Sequence, residues 1–174
     1  MKRAIVAPII LLMLTSCGGQ LSGRKSVESI VGGQSALQLV NNLKNIQSCE
    51  AYRIDDSYPG ESDLIFDKKI NGYGVISGPV NLEIPDRSLL TKVLVDSGTY
   101  FDRMKPIDCL FRPGIAFRFL DASSELNLLI CFSCNELKFF SSGENVGRSY
   151  FKQIEFKNLA KRLFPNDESI QLLK

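Results

Sequence analysis

Cysteines at positions 17, 49, 109, 131 and 134 are the side chains of this chain best equipped for chemistry. Thiols can pair as disulfides, exchange electrons or bind zinc, and spacing and surroundings decide which. Cys131-Phe132-Ser133-Cys134 has the two-residue gap of a redox pair or of half a zinc site. A redox pair of that kind sits at a helix N-terminus, where the dipole lowers the first thiol's pKa. Here the motif closes the apolar run Leu128-Leu129-Ile130, and Leu137 to Phe140 reads as another strand after it. A four-cysteine zinc site normally shows two close pairs, and this chain has one. Histidine is absent altogether, which removes Ser-His-Asp and Cys-His catalysis, His-ligated zinc and histidine pH switching.

The elements around the cysteines sharpen the choice. Ile115, Phe117 and Phe119 alternate with Ala116 and Arg118, Asp121 to Glu125 is a polar turn, and Leu126, Leu128 and Ile130 alternate again. Two period-two runs joined by a short polar turn describe an antiparallel hairpin. Matching their apolar faces sets Phe119 against Leu126 and Ile115 against Ile130. Extending that register, with a bulge at Pro113-Gly114, brings Cys109 near Cys134. Cys131 is then buried, and Cys49 is free or its partner. Structural disulfides, a thiol–disulfide oxidoreductase using Cys131 and Cys134, and a zinc site all remain open on sequence alone.

The rest of the chain supplies helices and further strands. Ser35 is a suitable N-cap for a helix carrying Leu37, Val40, Leu43 and Ile46. Ala51 to Ile54 reads as a strand, and Asp55 to Gly60 as a turn cluster. Leu64-Ile65-Phe66 and Tyr73 to Ile76 read as strands flanking the hairpin signal Asn71-Gly72, with Gly78-Pro79 ending the pair. A second helix is expected from Pro85-Asp86, with Leu89, Leu90, Val93 and Leu94 inward and Gly98 at its end. A third covers Ile154 to Leu163, its stripe Phe156, Leu159, Ala160 and Leu163, and Pro165 stops it. The expected class is α+β, an antiparallel meander with N-terminal, middle and C-terminal helices packed on it.

The N-terminus carries a resemblance of its own. Lys2 and Arg3 precede an uncharged run from Ala4 to Leu14, too short to span a bilayer, and Leu14-Thr15-Ser16-Cys17 follows. This resembles the signal and lipobox of bacterial lipoproteins. The resemblance implies cleavage after Ser16 and diacylglyceryl and palmitate chains on Cys17, which together give stable membrane anchoring. Gly18 rather than Asp follows the cysteine, which in a Gram-negative cell implies the outer membrane, periplasmic side. Residues 17–33, rich in glycine, read as a flexible tether holding a single domain (34–174) on the order of 20 Å from the lipid. Within it, Val27 to Val31 is an apolar piece able to dock on the domain.

The body resembles an uncharacterised bacterial group that pairs a Cys-x-x-x-Pro-x-Gly-Ile-like strand with a Cys-Phe-x-Cys strand. Here the first element is Cys109-Leu-Phe-Arg-Pro113-Gly114-Ile115, shortened so that Gly114 follows Pro113 directly. The charged or histidine residue usual in that gap is missing, so any role it has does not transfer. The resemblance spans about residues 70–163 and brings no activity.

Composition narrows the rest. After the leader, basic and acidic residues balance at 19 each, with no basic block, which argues against nucleic acid as a partner. Asp55, Asp56 and Asp63 match no calcium loop, and Asp121 and Glu125 read as turn and solubility residues. Phe111, Phe117, Phe119, Phe132 and Phe139 follow strand alternation and belong to a core rather than a ligand box. Lys152, Lys157, Lys161 and Arg162 form a basic, solvent-facing helix side. No cofactor and no metal are expected. The expected role is a lipid-anchored envelope protein, structural or binding rather than catalytic, whose envelope partner the sequence does not identify. The alternatives are the oxidoreductase and a carrier with an apolar pocket.

Overall fold

The computed structural model describes residues 25–103 and 109–174. Cys17, with its expected acylation and the signal peptide before it, lies outside them. Eight strands form one open antiparallel sheet: β1 (Ser48–Ile54), β2 (Lys69–Ile70), β3 (Tyr73–Asn81), β4 (Tyr100–Phe101), β5 (Ile115–Asp121), β6 (Ser124–Cys131), β7 (Glu136–Ser141) and β8 (Glu144–Phe151). Their order is β2-β3-β1-β5-β6-β7-β8-β4. Among the described residues five helices accompany them: α1 (Val27–Val31), α2 (Gln34–Asn41), α3 (Ile84–Val95), α4 (Ile154–Leu163) and α5 (Glu168–Gln171). The architecture is α+β.

Strand alternation sorts the side chains into two layers. Cys49, Ala51, Ile115, Phe117, Phe119, Leu126, Leu128, Ile130, Leu137 and Phe139 form one cluster with helical residues, among them Ile30, Val40, Leu90, Leu94, Phe156, Leu159 and Ile170. The intervening residues Tyr52, Ile54, Ala116, Leu129 and Cys131 belong to a second, smaller cluster with Ile70, Tyr73, Phe111 and Cys134, to which no helix contributes. The five phenylalanines expected in the core are all buried.

The β5–β6 register pairs Phe119 with Leu126 and Ile115 with Ile130, as their apolar faces require. The meander is longer than its apolar pattern indicates. β8, with only half of its residues exposed but few of them apolar, carries it on from the Ser142-Gly143 turn. The two-residue β4 then closes the far edge.

Several boundaries differ from expectation, each for an identifiable reason. The hairpin at Asn71-Gly72 forms, but its first arm is β2, not Leu64 to Phe66. Both turn residues have positive φ, 48° and 89°. That two-residue geometry requires the immediately flanking residues to pair. Leu64 and Ile65 are instead 64% and 98% exposed. Gly78-Pro79 does not end β3, which runs on to Asn81. Past Val75, whose N–H still reaches the Lys68 carbonyl, β3 has β1 on one side and no strand on the other among the described residues, an edge position where proline is tolerated. α2 starts at Gln34 with Gly33 (φ 101°) at the cap position, so Ser35 lies inside the first turn rather than capping it. It ends at Asn41, and Leu43 and Ile46 are buried from the turn beyond it.

Within 17–33, residues 17–24 lie outside the described residues, and the apolar piece Val27 to Val31 is ordered against the sheet. Val27–Val31 is helical, with Ser26 accepting a capping bond from the Ser29 N–H, and Ile30 and Val31 are buried. Gly147 in β8 is what admits this helix. A Cβ there would overlap the Ile30 carbonyl oxygen and lie 3.0 Å from the Gly32 nitrogen.

Candidate functional site

The β6–β7 connection gathers three of the four remaining cysteines. Cys134 is disulfide-bonded to Cys109, with their Cα atoms 6.1 Å apart. Cys49 and Cys131 are free and buried. Cys131 is the last residue of β6 and pairs with Glu136, so the motif forms a turn rather than a helix start. Asn135, at φ 53°, completes that turn. The Cys131 sulfur accepts the Cys134 backbone N–H at 3.3 Å and lies 3.2 Å from Ser133 Oγ. Gln153 donates to the Phe132 carbonyl at 2.5 Å, the Phe151 N–H donates to the Asn135 carbonyl at 2.9 Å, and the Phe132 and Phe151 rings meet edge to face. These contacts tie the turn to β8 and to the start of α4.

Cys49 belongs elsewhere. It pairs with Phe119, which pairs with Leu126. Cys131 lies an odd number of residues further along β6, hence on the opposite face and about 17 Å away along the strand. Cys49 therefore cannot join Cys131 in a disulfide, nor complete a four-cysteine zinc cluster. Burial pushes its thiol up to about 12, with Glu50 adding to the rise and Arg87 opposing it. An inert, protonated thiol results.

At the α5 end of the sheet, Arg53 is the most buried cation among the described residues. Its Nε donates to Asp167 at 2.9 Å, and Nη1 donates to the carbonyls of Gly114 and Ile54. Asp167 also accepts the Ile170 N–H at 2.9 Å, capping α5. This clamp fastens the C-terminal helix to β1. Of the basic helix side, Arg162 pairs with Asp86 on α3, and Lys157 donates to the Lys174 carbonyl.

A second constellation lies on the sheet face to which no helix contributes. Here the β2–β3 hairpin, β5, β6 and the β7–β8 turn border an open cleft of about 460 Å³ lined by Lys68, Lys69, Asn71, Arg118, Glu125 and Asn127. Arg118 and Asn127 are direct cross-strand partners. Glu125 accepts from Arg118 Nη2 and from Asn127 Nδ2, each at 3.1 Å. Burial alone would raise the Glu125 pKa, but Arg118, Asn127 and the Lys68 charge overrule it and hold the carboxyl below its ordinary value. Beside the cleft, Lys68 Nζ donates to Tyr52 Oη at 2.7 Å, and Tyr52 donates to Glu50 at 2.5 Å. Asn71, Arg118 and Asn127 each also carry one buried side-chain atom with no hydrogen-bond partner: Asn71 Oδ1, Arg118 Nε and Asn127 Oδ1. Of the cleft residues, sequence reasoning singled out Glu125 as a turn residue and Asn71 as a hairpin residue. Polar Arg118 and Asn127, midway along strongly apolar strands, were the available signal.

No protein-family model matches the chain, and no curated protein or solved structure does either.

Proposed function

We propose that this chain is a lipid-anchored cell-envelope protein whose domain binds a partner or ligand rather than catalysing a reaction. The single observation carrying this reading is the Cys109–Cys134 bond. Cytoplasmic thiols are kept reduced, whereas exported domains hold such bonds, which agrees with the leader and lipobox pattern ending at Cys17. The bond also occupies Cys134, so the Cys131/Cys134 pair has only one free thiol, and that one is buried. A catalytic dithiol needs an accessible, electropositive first sulfur, which favours a structural role for the motif over the oxidoreductase alternative. On this reading the helices form one layer on the sheet, and α1 follows shortly after the acylated Cys17. In a cell with two membranes the domain hangs from the outer membrane on the periplasmic side.

Metabolic labelling with palmitate tests the anchor. The wild-type chain incorporates label and partitions with membranes, while Cys17→Ala loses the label and becomes soluble. An unlabelled wild-type chain, or a leader still attached in the cytosol, defeats the reading.

A further inference from the structure

We propose that Cys131 is an internal exchange partner for the Cys109–Cys134 bond, taking over Cys134 and releasing Cys109 as a partly exposed thiol. Three sulfurs meet at one turn. Ser133 Oγ touches two of them, 3.2 Å from the Cys131 sulfur and 4.0 Å from that of Cys134. The Cys134 backbone N–H also points at the Cys131 sulfur, 3.3 Å away. A two-residue gap between cysteines is the spacing that closes into the disulfide of redox motifs. A buried free cysteine ordinarily packs as a small apolar group, as Cys49 does in the helix-side cluster. Cys131 is placed differently, beside a disulfide sulfur and two polar groups.

The exchange balances without an outside oxidant or reductant. Cys131 gives up its proton, its sulfur attacks Cys134 Sγ, and a Cys131–Cys134 bond forms. The Cys109–Cys134 bond breaks, its electron pair leaves on the Cys109 sulfur, and that sulfur takes up a proton. The Cys134 N–H and the Ser133 hydroxyl stand where charge develops on the attacking sulfur. Ser133 is exposed, so its hydroxyl gives the proton a route to solvent. Cys109 is the sulfur that can leave. It lies outside any strand or helix, next to Leu110, which is 56% exposed. The chain is held again at Phe111, which is buried and whose carbonyl accepts from Tyr73 Oη at 3.1 Å. Exchange therefore carries the reactive thiol from the core to the surface. An internal attack needs no path to an outside substrate, so the burial that weighs against an oxidoreductase does not weigh against it.

The inference goes beyond the proposed binding role and rests on the Cys109–Cys134 bond, not on the anchor; palmitate labelling reports only on Cys17. The full-length chain, as the host processes it and kept in detergent, is incubated with N-ethylmaleimide at about pH 8.5 without reductant, near the ordinary thiol pKa. Samples are quenched in acid at intervals, and peptide mapping at low pH assigns each adduct and each disulfide. The zero-time sample reports the Cys109–Cys134 bond. Later samples gain an adduct on Cys109 together with a Cys131–Cys134 bond, while Cys49, which only unfolding exposes, stays unmodified. Cys131→Ser keeps the original bond and slows the Cys109 adduct at least about tenfold, whereas Cys49→Val leaves it unchanged. Four results overturn the proposal: no Cys109 adduct from a chain whose bond was present at zero time, an adduct on Cys131 with the original bond retained, Cys49 modified in step with Cys109, or unchanged Cys109 modification in Cys131→Ser. A zero-time sample with no disulfide at all overturns this proposal and the reading drawn from the bond together.

Discussion

Cys109→Ala is the most informative single change, because its cost follows from chain topology. The bond joins residues 25 positions apart. Closing a loop of that length in the unfolded chain removes entropy worth about 3.5 kcal/mol at 25 °C. Cys109 is only partly buried, so truncating it adds little packing loss. With a urea m-value of about 2 kcal/mol/M, the unfolding midpoint moves down by roughly 1.7 M. Reducing the wild-type protein with dithiothreitol produces nearly the same shift, and the reductant leaves the alanine variant unchanged. Thiol titration in denaturant supplies an internal control. Apart from Cys17, wild type yields the two thiols of Cys49 and Cys131; the variant gains that of Cys134. Should Cys131 and Cys134 pair in the variant, two of its thiols disappear and reductant now lowers its midpoint. A variant within about 1 kcal/mol of wild type, with its three thiols free, refutes the loop-entropy reasoning.

Three other perturbations probe the layers separately. Arg53→Met breaks the clamp on Asp167 and frees two backbone carbonyls; urea unfolding should show a loss of roughly 2–4 kcal/mol, and a neutral result means the ion pair merely offsets its desolvation. Gly147→Val removes the seat of α1, so hydrogen exchange should rise through Val27–Val31 while β5 and β6 stay protected; the burial of Ile30 and Val31, about 1.5–3 kcal/mol each, sets the ceiling on the effect. Cys49 carries a thiol pKa raised from 9.0 to about 12 in the folded protein. Above pH 9 the unfolded chain releases that proton while the folded one retains it, so stability falls as pH rises. Between pH 9 and 11 the wild type should lose stability faster than Cys49→Val by about 1.4 kcal/mol per pH unit, and parallel curves would discredit the assignment.

The parts of the fold legible in sequence are those where one face must be apolar. β5 and β6 alternate cleanly because Phe117, Phe119, Leu126 and Leu128 enter the helix-side cluster. α4 follows its stripe from Ile154 to Leu163 because Phe156 and Leu159 are buried. β8 was illegible for the complementary reason. Its helix-side surface is covered at Gly147, where the Ile30 backbone approaches, and only Phe151 at its end adds a fully buried apolar side chain, so no alternation advertises the strand. Leu64 to Phe66 misled in the opposite direction. Apolar residues there imply a strand, yet a turn with two positive-φ residues admits no arm displaced by several positions. Local turn stereochemistry outranked hydrophobicity.

The Arg118–Asn127 pair shows how a register brings together polar residues that no single segment places side by side. Pairing Phe119 with Leu126 on one face obliges Arg118 to face Asn127 on the other. A strand whose second face only had to shed water would satisfy its polar groups with solvent or with each other. Arg118 and Asn127 do bond to Glu125, yet each retains a buried atom without a partner. Leaving such atoms unmatched costs roughly 1–3 kcal/mol apiece, while an apolar pair of similar shape would avoid that cost. Asn127→Leu removes both the unmatched oxygen and the bond to Glu125, so the two effects offset and urea unfolding should place it within about 1 kcal/mol of wild type. A larger loss would mean that the Glu125–Arg118–Asn127 bonds outweigh the unmatched atom.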